Sequence, residues 1–214
     1  MAIPSDALPD LRRAASAGLL DLDGSAPASP DAVRARETLS APHVGTLVWS
    51  VPPGYRALLA EHNRLSCRRE TDDGEREFVL VDEAESADLN ADLVHLPEGV
   101  GREPGRDLST SHLVGFAEAG YEAVWCFDVT RPGADGEYPV YYHHQDEPRA
   151  RHLADGSWED RADAVPDFPS FTAWLEAMAG AFTAPRPPAW FEELGTPVLV
   201  ELARDGIFRT GGQD

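Results

Sequence analysis

The sequence predicts an α+β fold in which a mainly antiparallel sheet carries helices packed on one face. Three observations predict it. Two strand-like runs, Tyr121 to Val129 and Tyr138 to His143, are separated only by the turn-forming stretch Thr130 to Gly136, and strands joined that tightly pair antiparallel. Phe168, Phe171, Trp174, Leu175, Met178 and Phe182 recur at helical spacing and mark an amphipathic helix. The strands form a sequential meander with helices before and after it, the pattern of a layered α+β domain.

Taken in order, Asp6 to Leu22 reads as one short helix, with Leu8, Leu11, Ala15, Leu19 and Leu22 near helical spacing. Asp23 to Pro30 is rich in turn formers and reads as a linker. A second helix begins at Ser29-Pro30-Asp31, with Ser29 as cap and Pro30 in its first position, and runs to about Leu39. These elements make residues 1–45 a helical N-terminal extension, either packed on the rest or mobile, and residues 46–214 the α+β domain. A helix follows from Val51-Pro52-Pro53, where Tyr55, Leu58, Leu59 and His62 share a stripe and Asn63 is suited to a left-handed end.

From Glu70 to Glu98 the chain holds eleven acidic residues and one basic residue, Arg76. Phe78 to Val81 is a strand candidate within it, Leu93 to Leu96 a weaker one, and Asp82 to Asp92 a helix with a solvated outer face. His112 to Ala117 is the next strand. In the following one, Ala123, Trp125, Phe127 and Val129 share a face. Pro139 demands that its strand lie at an edge or begin there, because proline donates no ladder hydrogen bond. The helix near Phe171 can be capped by Asp167 or Ser170 and ends by Pro185. A short helix over Ala189 to Leu194 and an apolar strand over Val198 to Leu202 complete the chain.

The 214 residues include 38 acidic and 18 basic side chains, a net charge of -20, and every basic residue other than histidine is arginine. Such a charge repels phosphate backbones and so argues against direct nucleic-acid binding, while it steers a basic protein partner inward. A lysine-free chain performs no Schiff-base chemistry. Hydrophobic residues make up 42%, enough for a core. There is no basic stretch before an apolar run at the N-terminus and no run long enough to span a bilayer, so the expected compartment is the cytoplasm and no membrane partner is expected. Cys67 and Cys126 stand apart, which excludes a framework of bridges and leaves a single pairing open.

Nucleophile elbows, phosphate loops and zinc helices are absent from the sequence. One cluster, His143-His144-Gln145-Asp146-Glu147 with His152 and Asp155 nearby, has metal-ligand chemistry. Adjacent strand residues face opposite ways, however, so His143 and His144 cannot share an ion without a bend. A polar strand end explains the cluster more economically, and neither metal nor cofactor is expected. Asp128 and Glu137 flank the turn and could meet as an acid-base pair, though acceptors for turn N–H groups are the simpler reading. Tyr138, Tyr141, Tyr142 and Trp158 near this acidic surface have the composition of interface anchors, with at least two of them expected in the core.

Several of these pieces occur together in a known order. Val51-Pro52-Pro53-Gly54-Tyr55-Arg56-Ala57-Leu58-Leu59, Leu113-Val114-Gly115-Phe116-Ala117, Trp125-Cys126-Phe127-Asp128, Gly136-Glu137-Tyr138-Pro139-Val140-Tyr141 and Ser170-Phe171-Thr172-Ala173-Trp174-Leu175 together resemble the SUKH superfamily. That group includes a fungal cell-wall-synthesis regulator and many bacterial toxin-immunity proteins. The resemblance spans residues 49–182. It departs at Asn63-Arg64-Leu65, where such proteins commonly carry Asn-Gly. It implies a SUKH-like fold and a non-enzymatic binding role, in which an immunity protein neutralises a basic, nuclease- or deaminase-like toxin domain. The alternatives are a regulatory scaffold binding several proteins and a metal-dependent enzyme using His143 to Glu147. The residues assigned to partner binding are Asp128, Asp135, Glu137, Tyr142, His144, Asp146, Glu147 and Trp158.

Overall fold

The computed structural model describes residues 6–40, 49–93, 108–109, 113–120, 122–147, 152–153 and 164–208. Its strands, in chain order, are β1 (Asp21–Gly24), β2 (Leu65–Thr71), β3 (Gly74–Leu80), β4 (Leu108–Ser109), β5 (Leu113–Glu118), β6 (Ala123–Asp128), β7 (Val140–His144) and β8 (His152–Leu153). The helices are α1 (Ala7–Ser16), α2 (Pro30–Ser40), α3 (Pro53–Leu59), α4 (Glu85–Leu93), α5 (Phe171–Thr183) and α6 (Val198–Arg204), with a 3-10 turn at Ala189–Glu193. Six strands form one antiparallel sheet in the order β1-β2-β3-β5-β6-β7, and β4 pairs with β8 separately. The expected α+β class is therefore the observed one.

One core joins sheet and helices. Cys67, Phe78, Phe116, Trp125 and Phe127 of the sheet cluster with side chains of α1, α3, α5 and α6. At its centre the Phe116 and Phe127 rings stack at 4.2 Å, and Trp174 meets Phe116 edge-on at 4.9 Å, the offset and edge geometries that aromatic quadrupoles favour. Ser170 accepts a hydrogen bond from the Ala173 N–H and caps α5. The other capping candidate, Asp167, has a different task. Its Oδ2 accepts from the Tyr142 N–H at 2.7 Å, while Val140 exchanges backbone hydrogen bonds with Phe168. The segment before α5 thereby covers the outer edge of β7, which begins directly after Pro139 as proline requires.

The N-terminal residues belong to this core. The single helix expected to Leu22 stops at Ser16. Gly18 takes a left-handed φ of +73°, its N–H reaches the Ala15 carbonyl and the Leu19 N–H reaches that of Ala14. This is the paired hydrogen bonding of a Schellman end. The chain then enters β1 and pairs in register with β2, Leu22 opposite Cys67. The expected linker from Asp23 thus starts inside a strand, and Leu8 and Leu11 are buried in the main cluster. Downstream, Ser29 caps α2 as expected. Arg36 of α2, itself 2% exposed, donates to the Asn63 and Val81 carbonyls.

Other expectations are corrected. Asn63 does not adopt the left-handed conformation, since every described residue with positive φ is glycine. Its amide instead donates to Glu83 and its N–H to the Ala26 carbonyl. The apolar run at Val198 is a helix, not a strand: Leu199, Val200 and Ala203 face inward and Val198 faces out. Leu93 closes α4, and residues 94–96 of the weaker strand candidate lie outside the described residues, as does His112.

β3 and β5 pair at Val79–Glu118 and Leu80–Ala117, the Val81 N–H donates to the Phe116 carbonyl at 3.3 Å, and the strands then part. Asn90 of α4 occupies the opening. Its Oδ1 accepts from the Gly115 N–H at 2.8 Å and its Nδ2 donates to the Gly115 carbonyl at 3.1 Å, so one side-chain amide satisfies both backbone groups as a neighbouring strand would.

Candidate functional site: an acidic depression at the end of β7

The residues assigned to partner binding fall at two opposite ends of the β6–β7 pair. Ala123 lies opposite His144 and Phe127 opposite Val140. Asp128, Asp135 and Glu137 therefore gather at one end, and His144, Asp146 and Glu147 at the other, separated by roughly 16 Å of strand at about 3.3 Å per residue.

At the first end the carboxylates serve the fold. Asp128 is fully buried and accepts from the Thr130 N–H, the Thr130 hydroxyl and the Arg131 Nε. Asp135 is exposed and accepts from the Glu137 N–H within the turn. Glu137 reaches away, its Oε1 accepting from the Gly54 N–H at 2.6 Å. This carboxylate caps the N-terminus of α3, where the helix dipole favours negative charge. Asp128 and Glu137 are thus held by different donors and do not form the acid-base pair that their sequence positions allow. The assignment of Asp128 to a partner surface is corrected by its burial.

Tyr142 is corrected for the same reason. Its ring is buried against Trp125 at 4.8 Å, and its hydroxyl accepts from the Gly195 N–H and donates to the Thr196 carbonyl. Burial pushes this phenol well above its ordinary range. Tyr138 and Tyr141 are buried as well, and Trp158 and Asp155 lie outside the described residues. Tyr142 instead tethers the loop that leads into α6. Gly195 (φ +93°) and Gly120 (φ +78°) complete the seat: a Cβ on Gly195 would lie 3.1 Å from the Ala119 carbonyl oxygen.

That tether sets α6 beside the end of β7 and shapes a depression of about 270 Å³ lined by Asp146, Glu147, Pro197, Val198 and Glu201. Glu147 is paired with Arg204 of α6. The side-chain carboxylates of Asp146, Glu201 and neighbouring Glu122 make no hydrogen bond or ion pair among the described residues. Val198 is 44% exposed, one of three large hydrophobic side chains left open to solvent among the described residues.

His144, two residues before Asp146, is 3% exposed and does not line this depression. A ring nitrogen of His144 and carboxylate oxygens of Glu122 and Asp146 lie within 4.8 Å of one another. The set has the ligand types for a divalent ion, and Glu122 takes the place that the sequence suggested for His143. The ring's hydrogen bonding opposes that use. The Asp146 N–H donates to Nδ1 at 3.1 Å, so the neutral ring carries its proton on Nε2 and has no lone pair left for a metal. Burial lowers the His144 pKa, opposed by the nearby Asp146 and Glu122. The lowering favours the neutral ring.

Sequence reasoning placed Asp146 and Glu147 in this site and missed Glu122, Pro197, Val198 and Glu201. The missing residues come from elements that meet β7 only in three dimensions. Cys67 and Cys126 are free and buried in separate clusters, and burial raises both thiols far above their usual range. No described helix is long and apolar enough to cross a membrane. No family model matches the chain, and no curated protein matches it.

Proposed function

We propose that this chain is a non-enzymatic protein-binding domain of the SUKH kind, acting in the cytoplasm as an immunity protein that neutralises a basic, nuclease- or deaminase-like toxin domain. The observation that carries the proposal is electrostatic: a net charge of -20 accompanies a depression in which two of three carboxylates have no ion-pair partner among the described residues. A toxin that acts on nucleic acid presents a basic surface to its phosphate substrate. An acidic surface is complementary to it, attracts it at long range and competes for the same cleft.

The experiment is capture from native cell extract by the immobilised chain at low and moderate salt, with mass spectrometry of what is retained. One basic protein with a nuclease- or deaminase-like domain, released as salt rises, is the expected result. Retention of several unrelated proteins, equally at both salts, would replace the immunity reading with that of a regulatory scaffold.

A further inference from the structure

We infer that β1, the uncovered edge of the six-stranded sheet, receives an extended basic segment of the partner polypeptide as an added antiparallel strand. The inference rests on the reading above that the partner is basic, and names where and how it is held.

The backbone carries the inference. β1 pairs with β2 from Asp21–Arg68 to Gly24–Leu65, and just beyond, the Ser25 N–H donates to the Arg64 carbonyl. Hydrogen-bonding direction alternates along an antiparallel strand. Asp21 and Asp23 therefore direct their N–H and carbonyl groups at β2, as Ser25 does, and Leu22 and Gly24 direct theirs outward. No described residue bonds to those outward groups. Asp21, Asp23 and Gly24 are exposed and Leu22 is half-buried, so the edge is open to solvent. The opposite edge of the sheet is closed. Val140 exchanges backbone hydrogen bonds with Phe168, and Asp167 accepts from the Tyr142 N–H. The fold thus blocks one edge and leaves on the other a row of unpaired backbone groups, the template to which an extended peptide adds.

Charge chooses the occupant. The register places Asp21, Asp23, Glu70, Glu75 and Glu77 on the outer face of β1, β2 and β3, with Arg68 their one cation. Arg68 is already paired with Glu75 and Glu77. A second copy of the chain is a poor guest. Pairing β1 with its own copy about Leu22 sets Asp21 of each opposite Asp23 of the other, and like charges directly opposite destabilise a sheet. A strand with a cation at every second residue fits. Its cations lie opposite Asp21 and Asp23 on the outer face. The residues between them lie opposite Leu22 and Gly24, and their backbone groups exchange hydrogen bonds with those two.

The test is amide hydrogen exchange of the full chain, read residue by residue by NMR. Acetyl-Arg-Val-Arg-Val-Arg-amide is added in one series and acetyl-Arg-Pro-Arg-Pro-Arg-amide in another. The two peptides carry equal charge, but proline removes the donors that would face β1. In the free chain the Leu22 and Gly24 amides are expected to exchange faster than those of Asp21 and Asp23. The valine peptide should slow Leu22 and Gly24 several-fold in a saturable way, and the proline peptide should leave them unchanged. The D21N/D23N variant alters two exposed side chains that form no ion pair among the described residues, and should need several-fold more valine peptide for the same protection. Equal effects of the two peptides, or exchange at Leu22 and Gly24 that the valine peptide does not slow, would overturn the inference. The peptide reads the edge alone and capture from extract reads the partner. A basic partner held equally well by D21N/D23N therefore sinks the edge and leaves the proposed function standing.

Discussion

Asn90 and His144 are the two residues whose chemistry their sequence neighbours hide. Asn90 sits in an acidic helical stretch and looks solvated, yet it is 1% exposed and satisfies both backbone groups of Gly115. Asn90→Ala strands both of these groups, and unsatisfied buried groups cost about 1–3 kcal/mol each. Urea denaturation should show a loss in that range or above. Ser170→Ala removes only the α5 cap and should cost about 1 kcal/mol. His144 contributes to acid sensitivity. Its folded pKa lies below its unfolded value of about 6.5, so above pH 6.5 both states are neutral there and its stability contribution is complete. As pH falls from 6.5 through the folded pKa, the unfolded chain takes up the proton first and that contribution is lost. The His144→Gln variant should therefore lose less stability than the parent between pH 7 and pH 5, measured by urea midpoints. An equal loss in both would remove His144 as the cause.

At the scale of elements, the strands near Trp125 and the helix near Trp174 were legible because their apolar residues keep one period throughout. The failures have local causes. β2 was missed because an inward position is held by Arg69, which reads as polar. Its Nη1 donates to the Ala181, Phe182 and Ala184 carbonyls at the C-terminus of α5, where a cation complements the helix dipole. α6 was read as a strand because a short apolar run fits either period. α1 was extended past Gly18 because leucines beyond the glycine kept the helical spacing by coincidence. Glycine substitutions separate these roles. Gly180 lies exposed within α5 with open space around its missing Cβ, so Gly180→Ala should stabilise the chain by about 0.5–1 kcal/mol. Gly195→Ala meets both a positive φ and the Ala119 carbonyl, and should destabilise by more than the roughly 1–2 kcal/mol of the conformation alone. Thermal unfolding of the two variants should move in opposite directions.

For the molecule as a whole, charge was legible from composition and its arrangement was not. The five acidic residues from Asp128 to Glu147 lie within twenty positions of sequence, yet antiparallel pairing sends them to opposite ends of the β6–β7 pair. One end caps α3 and holds a turn. The other opens a depression with α6, a partner that lies more than fifty residues away in the chain. The central claim is that this acidic surface binds a basic protein, and the most direct measurement is the affinity for the captured partner across a salt series, with the parent chain and with D146N/E147Q/E201Q. The account predicts a dissociation constant that climbs steeply with ionic strength for the parent, and weaker binding with a shallower slope for the variant. An affinity that ignores salt and is the same for both chains would contradict it.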